Sequence, residues 1–455
     1  MSARSTLDPA RKSAGPPPLA AGSLKRRVVG GATWLLVGNG AERALRFLRM
    51  AVLARLLSPE DFGLMGLITM VIGFFDALTF TATNQAIIQH PSGRSREFLN
   101  TVFTVALVRG LSISLLVFLG APWVAAFFVE PTLTPMIRLA ALTPLVMAMT
   151  NPAVQLLLKD LDFRRWSVYV VVSNAVSVLL TLALGLWLRN AWALVLGSIA
   201  DQVVLTGLSY FVSGYRPVPR WDQSSGRELI AFTRKALGIP LIVGCLLQAP
   251  NVLLGKLADT ATLGAFLLAL NLADVPTHIV TRVVALVGLP AYSSIASDPE
   301  RLRRAWRRGT FTAVGIMLPI LVGMAIWADP ALRLAYGSIY STQTTVLRVL
   351  CWYGFMRLIV MTSGPLNWAL GRPNADRTAF LISLAVAYGP GALLVKQYGA
   401  VGMALGWAAA WTVAAVVEWG ACLRNLAVRA SGATTSPLPA DDDGYRPDPA
   451  RAGSV

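Results

Sequence analysis

The chain has 455 residues, of which 55% are hydrophobic and 14% are charged, and its mean hydropathy is +0.59. A soluble domain carries about 25% charged residues, so this composition excludes an ordinary water-soluble globule and indicates an integral membrane protein solvated by the lipid bilayer. The net charge of +17 comes from short basic clusters between apolar runs. That pattern is typical of membrane proteins and not of nucleic-acid-binding modules, so no nucleic acid partner is expected.

The chain begins with a segment rich in Pro, Ala and Ser that lacks the apolar stretch of a signal peptide. Residues 1–24 are therefore predicted to be a disordered cytoplasmic tail. Apolar runs long enough to cross a bilayer follow, and six of them make up a predicted first lobe over residues 25–214. These spans are 30–57, 62–88, 98–120, 134–158, 167–188 and 191–213.

A polar segment with several Arg and Pro residues, 215–228, is predicted to be a cytoplasmic linker. A second lobe is predicted over 229–425, and residues 426–455 are predicted to be a disordered cytoplasmic tail. The second set of spans is 229–255, 262–290, 309–328, 343–369, 378–395 and 399–423. The predicted fold class is an all-α integral membrane protein with about twelve transmembrane helices in two six-helix lobes around a central cavity.

The basic residues alternate between rich and poor segments along the chain. With the N-terminus in the cytoplasm, most of the 40 Lys and Arg residues fall in cytoplasmic segments and few fall in outward loops. This bias predicts that both termini are cytoplasmic and that the number of spans is even. The outward loops are all short, which disfavours an enzyme that holds its site outside the membrane.

A short internal repeat links the two predicted lobes. Leu53–Leu57 matches Leu254–Ala258, and Phe62-Gly63 matches Leu263-Gly264, with the same offset of 201 residues. A shift of six spans keeps the orientation in the membrane, so the halves would be parallel repeats related by an axis along the membrane normal. Such repeats favour transport by alternating access around a central cavity.

Span 1 carries a polar face through its middle. Asn39, Glu42, Arg46 and Arg49 fall on one side of a helix, and Arg43 lies beside them. Charged groups inside a membrane are costly and usually face a cavity or a partner. The alternatives are a helix lying on the membrane surface, or arginines that reach back to the interface.

Span 8 carries a second group of ionisable residues. Asp274, His278 and Arg282 share one face, and Pro276 can bend the helix there. His278 could titrate near neutral pH, which makes it and Asp274 candidates for ion coupling. The alternative is a pair, Asp274–His278 or Asp274–Arg282, that only neutralises itself.

Further charges lie in other spans. Asp76 on span 2 is a third ion-coupling candidate, and Arg109 on span 3 is a candidate substrate ligand. Arg348 and Arg357 are nine positions apart on span 10 and point in opposite directions. Glu418, near the end of span 12, is expected at the membrane interface.

Basic side chains outnumber acidic ones within the spans. The basic set is Arg43, Arg46, Arg49, Arg109, Arg282, Arg348 and Arg357, and the acidic set is Glu42, Asp76, Asp201, Asp274 and Glu418. Arginine suits bidentate contact with phosphate, so the excess suggests an anionic ligand.

No enzyme motif accompanies these charges. The sequence has no phosphate-binding Walker loop, and its three cysteines match no metal-binding spacing. We therefore expect no catalytic residue, cofactor or metal. The energy for transport would come from an H⁺ or Na⁺ gradient, the membrane potential or the substrate gradient.

Three segments resemble those of polysaccharide flippases in the multidrug/oligosaccharidyl-lipid/polysaccharide exporter superfamily. They are Leu53–Leu64 at the end of span 1, Leu158–Arg165 before span 5 and Leu370–Pro373 after span 10. The resemblance covers about residues 25–425. It implies a V-shaped bundle of two lobes in the bacterial inner membrane.

The resemblance also implies a task, which is to move an undecaprenyl-diphosphate-linked oligosaccharide from the inner to the outer leaflet. In this family the chamber is often cationic, so the implied substrate ligands are Arg43, Arg46, Arg49, Arg109 and Arg282. A polysaccharide polymerase and export machinery are possible protein partners. The product would be exopolysaccharide, capsule or O-antigen.

Three other functions remain open on the sequence. A small-molecule exporter of the same superfamily handles cationic drugs and predicts an acidic chamber. A membrane polymerase or ligase predicts a long outward loop. A lipid II flippase is a close relative, although its characteristic motifs are not evident in this chain.

Overall fold

The computed structural model describes residues 21–430 except 80, 237, 296, 297, 371 and 373, and the described residues contain helices but no strand. The helices are α1 Ala21–Leu56, α2 Pro59–Leu78, α3 Thr83–Gln89, α4 Arg96–Phe128, α5 Leu133–Ala140, α6 Leu142–Ala148, α7 Leu156–Lys159, α8 Phe163–Leu188, α9 Ala191–Ser213, α10 Gln223–Ala236, α11 Gly238–Leu247, α12 Ala249–Leu257, α13 Thr260–Ser294, α14 Pro299–Ile326, α15 Ala328–Ala335, α16 Thr344–Ala369, α17 Asn374–Tyr388 and α18 Pro390–Ala430.

Many of these helices have the length and composition of a membrane span. Within the described residues nine could cross a membrane, and ten could if the bent pair Leu133–Ala148 and Pro152–Lys159 is one span. Helix α1 is 36 residues long but is not among the nine, and its middle carries the charged residues noted above. The all-α membrane fold is confirmed, whereas the count of twelve and the division into two lobes stay predictions.

The ends of the helical region differ slightly from the predicted boundaries. Helix α1 already begins at Ala21, and α18 continues to Ala430. Helix α10 begins at Gln223, inside the segment predicted to be a linker. Most of the two predicted tails, 1–24 and 426–455, and two residues of the Leu370–Pro373 segment lie outside the described residues.

The predicted fourth span is broken. Its two parts are bent by 62° around Asn151, a residue that is fully buried. The Asn151 side chain donates to the carbonyl of Tyr215 (2.6 Å) and accepts from the Ala153 amide (3.1 Å), while its backbone amide donates to Ser209 Oγ (3.0 Å). These bonds satisfy the backbone groups that a broken helix would otherwise leave unpaired in an apolar environment.

Helix α18 contains a sharp turn at Gly399, where φ is 54° and ψ is −126°. A residue with a Cβ atom rarely adopts this conformation, so glycine permits the chain to reverse here. The two arms then pack closely, because a Cβ atom at Gly402 would lie 1.9 Å from the Leu394 carbonyl oxygen. Helix α18 therefore consists of two antiparallel arms that meet at Gly399.

The 201-residue repeat reappears as a reciprocal contact between the halves, which we define as residues 25–214 and 229–425. A Cβ atom at Gly63 would lie 1.8 Å from the Thr260 carbonyl oxygen, and one at Gly264 would lie 1.7 Å from the Pro59 carbonyl oxygen. Each glycine thus lets α2 and α13 approach at backbone distance. All four residues obey the same offset, as a pseudo-two-fold axis between α2 and α13 requires.

A second reciprocal contact lies at the same end of the bundle. Arg55 donates to the Leu334 carbonyl of α15, and Lys256 donates to the Phe127 carbonyl of α4, each at 2.5 Å. Arg55 and Lys256 are repeat-matched residues, and each reaches into the opposite half. Carbonyls in the last turn of a helix lack helical partners and carry partial negative charge, which favours a cation there. We call these four contacts the clasp.

Candidate functional site

A polar cavity of 470 Å³ lies within the first half. Six α-helices (α1, α2, α3, α4, α8 and α9) contribute polar or charged side chains to its wall. Those side chains include Asn39, Arg46, Asp76, Arg109, Asn174 and Gln202. The prediction that the polar face of α1 lines a cavity therefore agrees with where the structure places Asn39, Glu42 and Arg46.

Arg46 extends from α1 into this cavity, and about half of its side chain (49%) is exposed. Its Nε donates to Asn174 Oδ1 at 3.1 Å, and its guanidinium lies 3.0 Å from Glu42 one turn earlier. The carboxylate and the amide orient the guanidinium while leaving donors free. Arg46 can therefore still bind an anion that enters the cavity.

Arg49 lies one turn further along α1 and is already paired with a carboxylate. Its guanidinium forms an ion pair with Asp201 of α9 at 2.5 Å, next to a second cavity of 300 Å³. Both side chains are less than about a third exposed. The pair ties α1 to α9 and leaves little net charge at this level.

Arg109 and Asp76 also form an ion pair. The Arg109 guanidinium lies 2.5 Å from Asp76 Oδ1 and donates to the Thr79 carbonyl at 2.7 Å. Asp76 is half exposed in the cavity, whereas Arg109 is largely covered. The two residues predicted as an ion-coupling group and a substrate ligand thus neutralise each other in this conformation.

In the second half Asp274 is paired with Arg357 of α16. The distance from Asp274 Oδ1 to the Arg357 guanidinium is 2.6 Å, and the Tyr353 hydroxyl donates to the same oxygen at 3.2 Å. Less than a fifth of either charged side chain is exposed. The structure thus pairs Asp274 with Arg357 rather than with His278. Helical periodicity within α13 had not suggested Arg357, because it lies on another helix.

Arg43 differs from the other arginines of α1. It lies within electrostatic range of Asp274 and Arg357 of the second half as well as of Glu42 and Arg46 of α1, and it is not among the residues that line the cavity that Arg46 enters. Among the described residues it forms no ion pair and no side-chain hydrogen bond. Its partly buried charge is therefore available to a ligand located between the halves.

The remaining predicted residues are placed as follows. His278 lies near Arg43 and Arg357 and forms no ion pair among the described side chains. Arg282 is on α13, but its side chain lies outside the described residues. Arg348 is exposed and donates to the Ala325 carbonyl at 3.2 Å, away from Arg357 as the nine-residue spacing predicted.

Glu418, which was expected at the membrane interface, is buried among helices, and only 1% of it is exposed. It lies close to Asp376, a residue at the start of α17 that is 5% exposed and that sequence analysis did not single out. Helical periodicity shows which residues share a face, but it does not show that α16 and α17 cover that face.

Comparison with solved structures supports the fold alone. The chain is similar to the lipid II flippase MurJ in an inward closed conformation, with a TM-score of 0.70 and 12% identity over 89% of this chain and 93% of that chain. It is also similar to a multidrug resistance MATE family transporter of the MOP superfamily in an inward-facing conformation. There the TM-score is 0.65, with 15% identity over 87% of this chain and 96% of the other.

Sequence relatives are named for polysaccharide synthesis. The succinoglycan biosynthesis transport protein ExoT of Rhizobium meliloti is 25% identical over 320 residues, which is 70% of this chain and 64% of ExoT. The lipopolysaccharide biosynthesis protein WzxC of Escherichia coli is 24% identical over 84% of this chain and 78% of its own length. The teichuronic acid biosynthesis protein TuaB of Bacillus subtilis is 22% identical over 77% and 73%.

A family model described as polysaccharide biosynthesis protein matches residues 52–344. The match begins near the end of α1, includes the broken fourth span and α13, and ends where α16 begins. It covers more than half of the chain. This protein is therefore a multi-pass membrane protein that belongs to the polysaccharide biosynthesis protein family.

Proposed function

We propose that this protein flips a polyprenyl-diphosphate-linked oligosaccharide across the bacterial inner membrane during synthesis of a surface polysaccharide. The observation that carries the proposal is Arg43, a partly buried arginine of α1 that forms no ion pair at contact distance with any described carboxylate, although Asp274 and Glu42 lie within electrostatic range. An unpaired guanidinium between the two halves is suited to a diphosphate, which offers several oxygens in the geometry that arginine binds.

The pattern of pairing supports an anionic ligand. Four other arginines, namely Arg46, Arg49, Arg109 and Arg357, each have a carboxylate partner, so the charge left over near the centre is positive. A small-molecule exporter that takes cationic drugs would need an excess of carboxylates there. Relatives named for succinoglycan, lipopolysaccharide and teichuronic acid synthesis favour the same conclusion.

The clasp supports alternating access. If the N-terminus is cytoplasmic, as the distribution of basic residues predicts, the clasp closes the outward end of the bundle and the structure faces inward. The substrate would enter between the halves, and the clasp would then separate to release it outside.

The cavity volume sets one requirement on this cycle. A cavity of 470 Å³ has the size of a site for a drug-sized ligand, so it holds only part of a lipid-linked oligosaccharide. The halves must therefore move apart to admit the sugars. In this proposal the diphosphate stays at Arg43 while sugar hydroxyls meet the polar wall that Arg46, Asn174 and Gln202 provide.

The proposal is tested by deleting the gene and restoring it as wild type, Arg43→Ala or Arg348→Ala. Arg348 is the matched control, because it is an arginine on a span but is exposed away from the cavity. We expect Arg43→Ala to abolish extracellular polymer and to accumulate lipid-linked repeat units while its membrane level stays normal. Unchanged polymer with increased drug sensitivity in the deletion strain would overturn the proposal in favour of an exporter.

A further inference from the structure

A second charged site lies apart from the α1 cavity, where α16, α17 and α18 meet. Its centre is the pair of carboxylates on Asp376 and Glu418, which are 5% and 1% exposed. A Cβ atom at Gly364 would lie 3.5 Å from Asp376 Oδ2 and 3.9 Å from Glu418 Oε2, so both carboxylates converge on this glycine. Neither forms an ion pair with any side chain that the structure describes.

The two carboxylates differ in their hydrogen-bond partners. Asp376 accepts from the Trp368 indole at 2.6 Å and from the Asn367 amide at 3.5 Å. Both oxygens of Glu418 are buried and have no hydrogen-bond partner among the described residues, and the same is true of the hydroxyl of Ser363, next to Gly364 in the chain. A buried ionised carboxylate without a partner is strongly unfavourable, so we expect the charge of Glu418 to be neutralised by a proton or by a cation.

The described residues around the pair supply oxygen atoms but no cationic side chain in contact with it. Asn367 Oδ1 accepts from Asn425 at 3.3 Å and from the Cys422 thiol at 3.4 Å. Arg372 approaches from the loop after α16, but its guanidinium donates to Asn425 Oδ1 at 2.8 Å. Polar and titratable neighbours on the other packed helices are Tyr292 of α13 and Trp306 of α14.

We propose that Asp376 and Glu418 form a binding site for one small monovalent cation, H⁺ or Na⁺. Two carboxylates that converge in a dry site cannot both stay ionised without a compensating charge, and a shared proton or a bound cation provides it. Oxygen atoms from carboxylate, amide and hydroxyl groups are ligands that hard cations prefer. Asp376 and Glu418 supply the carboxylate oxygens, and Ser363, next to Gly364 in the chain, supplies a buried hydroxyl with no hydrogen-bond partner among the described residues.

This site differs from the ion-coupling residues predicted from the sequence. Asp76 and Asp274 already have arginine partners, whereas Glu418 has none. A role of the cation in driving transport would rest on the proposed flippase function. Binding of the cation does not depend on that function, so failure of one and failure of the other can be distinguished.

The test uses the purified full-length chain in lipid nanodiscs. Binding of ²²Na⁺ is measured by scintillation proximity, and a protonated buried carboxyl is measured by its C=O stretch in infrared difference spectra in Na⁺-free buffer. Saturable ²²Na⁺ binding supports the site and identifies the bound cation as Na⁺. A protonated-carboxyl band that Na⁺ does not displace supports the site and identifies the bound cation as H⁺. A wild-type chain with neither signal overturns it.

Variants assign the signal to these residues. We expect Glu418→Gln and Asp376→Asn each to weaken Na⁺ binding by about tenfold or more, because each removes a unit charge. If the occupant is H⁺, Glu418→Gln should remove the carboxyl band and Asp376→Asn should shift it. Glu60→Gln, at an exposed glutamate, is the matched control and should change neither signal. If the neutral variants do not fold, Glu418→Asp, which keeps the charge but shortens the side chain, must still shift the signal. A signal unchanged in Glu418→Asp overturns the assignment.

Discussion

The two halves of the chain are alike where they touch and different where they hold charge. At the clasp, Gly63 and Arg55 of the first half are matched by Gly264 and Lys256 of the second with one constant offset. Away from the clasp, the first half has a cavity lined by α1, whereas the second half has a closed carboxylate pair. The contact between the halves thus keeps the repeat, while the chemistry of each half has diverged.

The difference shows how a duplicated scaffold can support transport in one direction. Symmetric contacts can open and close as a unit, because both halves present the same surfaces to the axis. A substrate and a coupling cation need different chemistry, so their sites need not repeat. Unpaired charges mark those sites: Arg43 has no carboxylate partner and Glu418 has no cation among the described residues.

The largest expected effect comes from the glycines of the clasp. Gly63→Leu and Gly264→Leu each place a side chain against a carbonyl of the opposite half, at a cost of about 3 kcal/mol or more. The closed population should fall roughly 100-fold, and equally for both variants. Distances between spin labels at the clasp measure this separation. Gly120→Leu is the control because no atom lies near its Cβ position. Unequal effects of Gly63→Leu and Gly264→Leu would contradict the two-fold symmetry of the clasp.

Replacing Arg109 and replacing Asp76 should change the affinity for an anionic ligand in opposite directions. Arg109→Ala leaves the Asp76 carboxylate uncompensated and should weaken binding of an anionic ligand about tenfold, whereas Asp76→Asn should strengthen it by a similar factor. Binding of a soluble oligosaccharide diphosphate by isothermal calorimetry tests this. Changes in the same direction would mean that the pair has only a structural role.

The smallest expected effect comes from the cations of the clasp. Arg55→Met and Lys256→Met each remove one exposed charge-assisted hydrogen bond, worth about 1 kcal/mol, so each should lower the closed population roughly fivefold. The double variant should show the sum of the two free energies, because the residues share no partner. Spin-label distances give these populations. A strongly non-additive double variant would show that the two contacts are not independent.

Much of the fold was predictable from the sequence. Apolar runs located the long helices, and the Leu53–Leu57 repeat pointed to related halves that later proved to touch at matched glycines. The polar face of α1 was also predictable, because helical periodicity places Asn39, Glu42 and Arg46 together. These features depend on local sequence and on the bilayer as solvent.

The pairing of charges was not predictable. Arg357 reaches Asp274 from a helix 83 residues away, and Arg49 reaches Asp201 across 152 residues, so no local pattern joins them. The break at Asn151 depends on Ser209 and Tyr215 in the same way. Periodicity assigns a face to each helix, whereas the partner of that face is set by packing of the whole bundle.

The central claim is that Arg43 binds the diphosphate of a lipid-linked oligosaccharide during flipping. The most direct measurement is translocation of a polyprenyl-diphosphate-linked oligosaccharide in proteoliposomes that contain wild type, Arg43→Lys, Arg43→Ala or Arg348→Ala. We expect Arg348→Ala to match wild type, Arg43→Lys to lose about tenfold and Arg43→Ala about 100-fold, since the guanidinium makes two strong bonds. Wild-type translocation by Arg43→Ala would contradict the account.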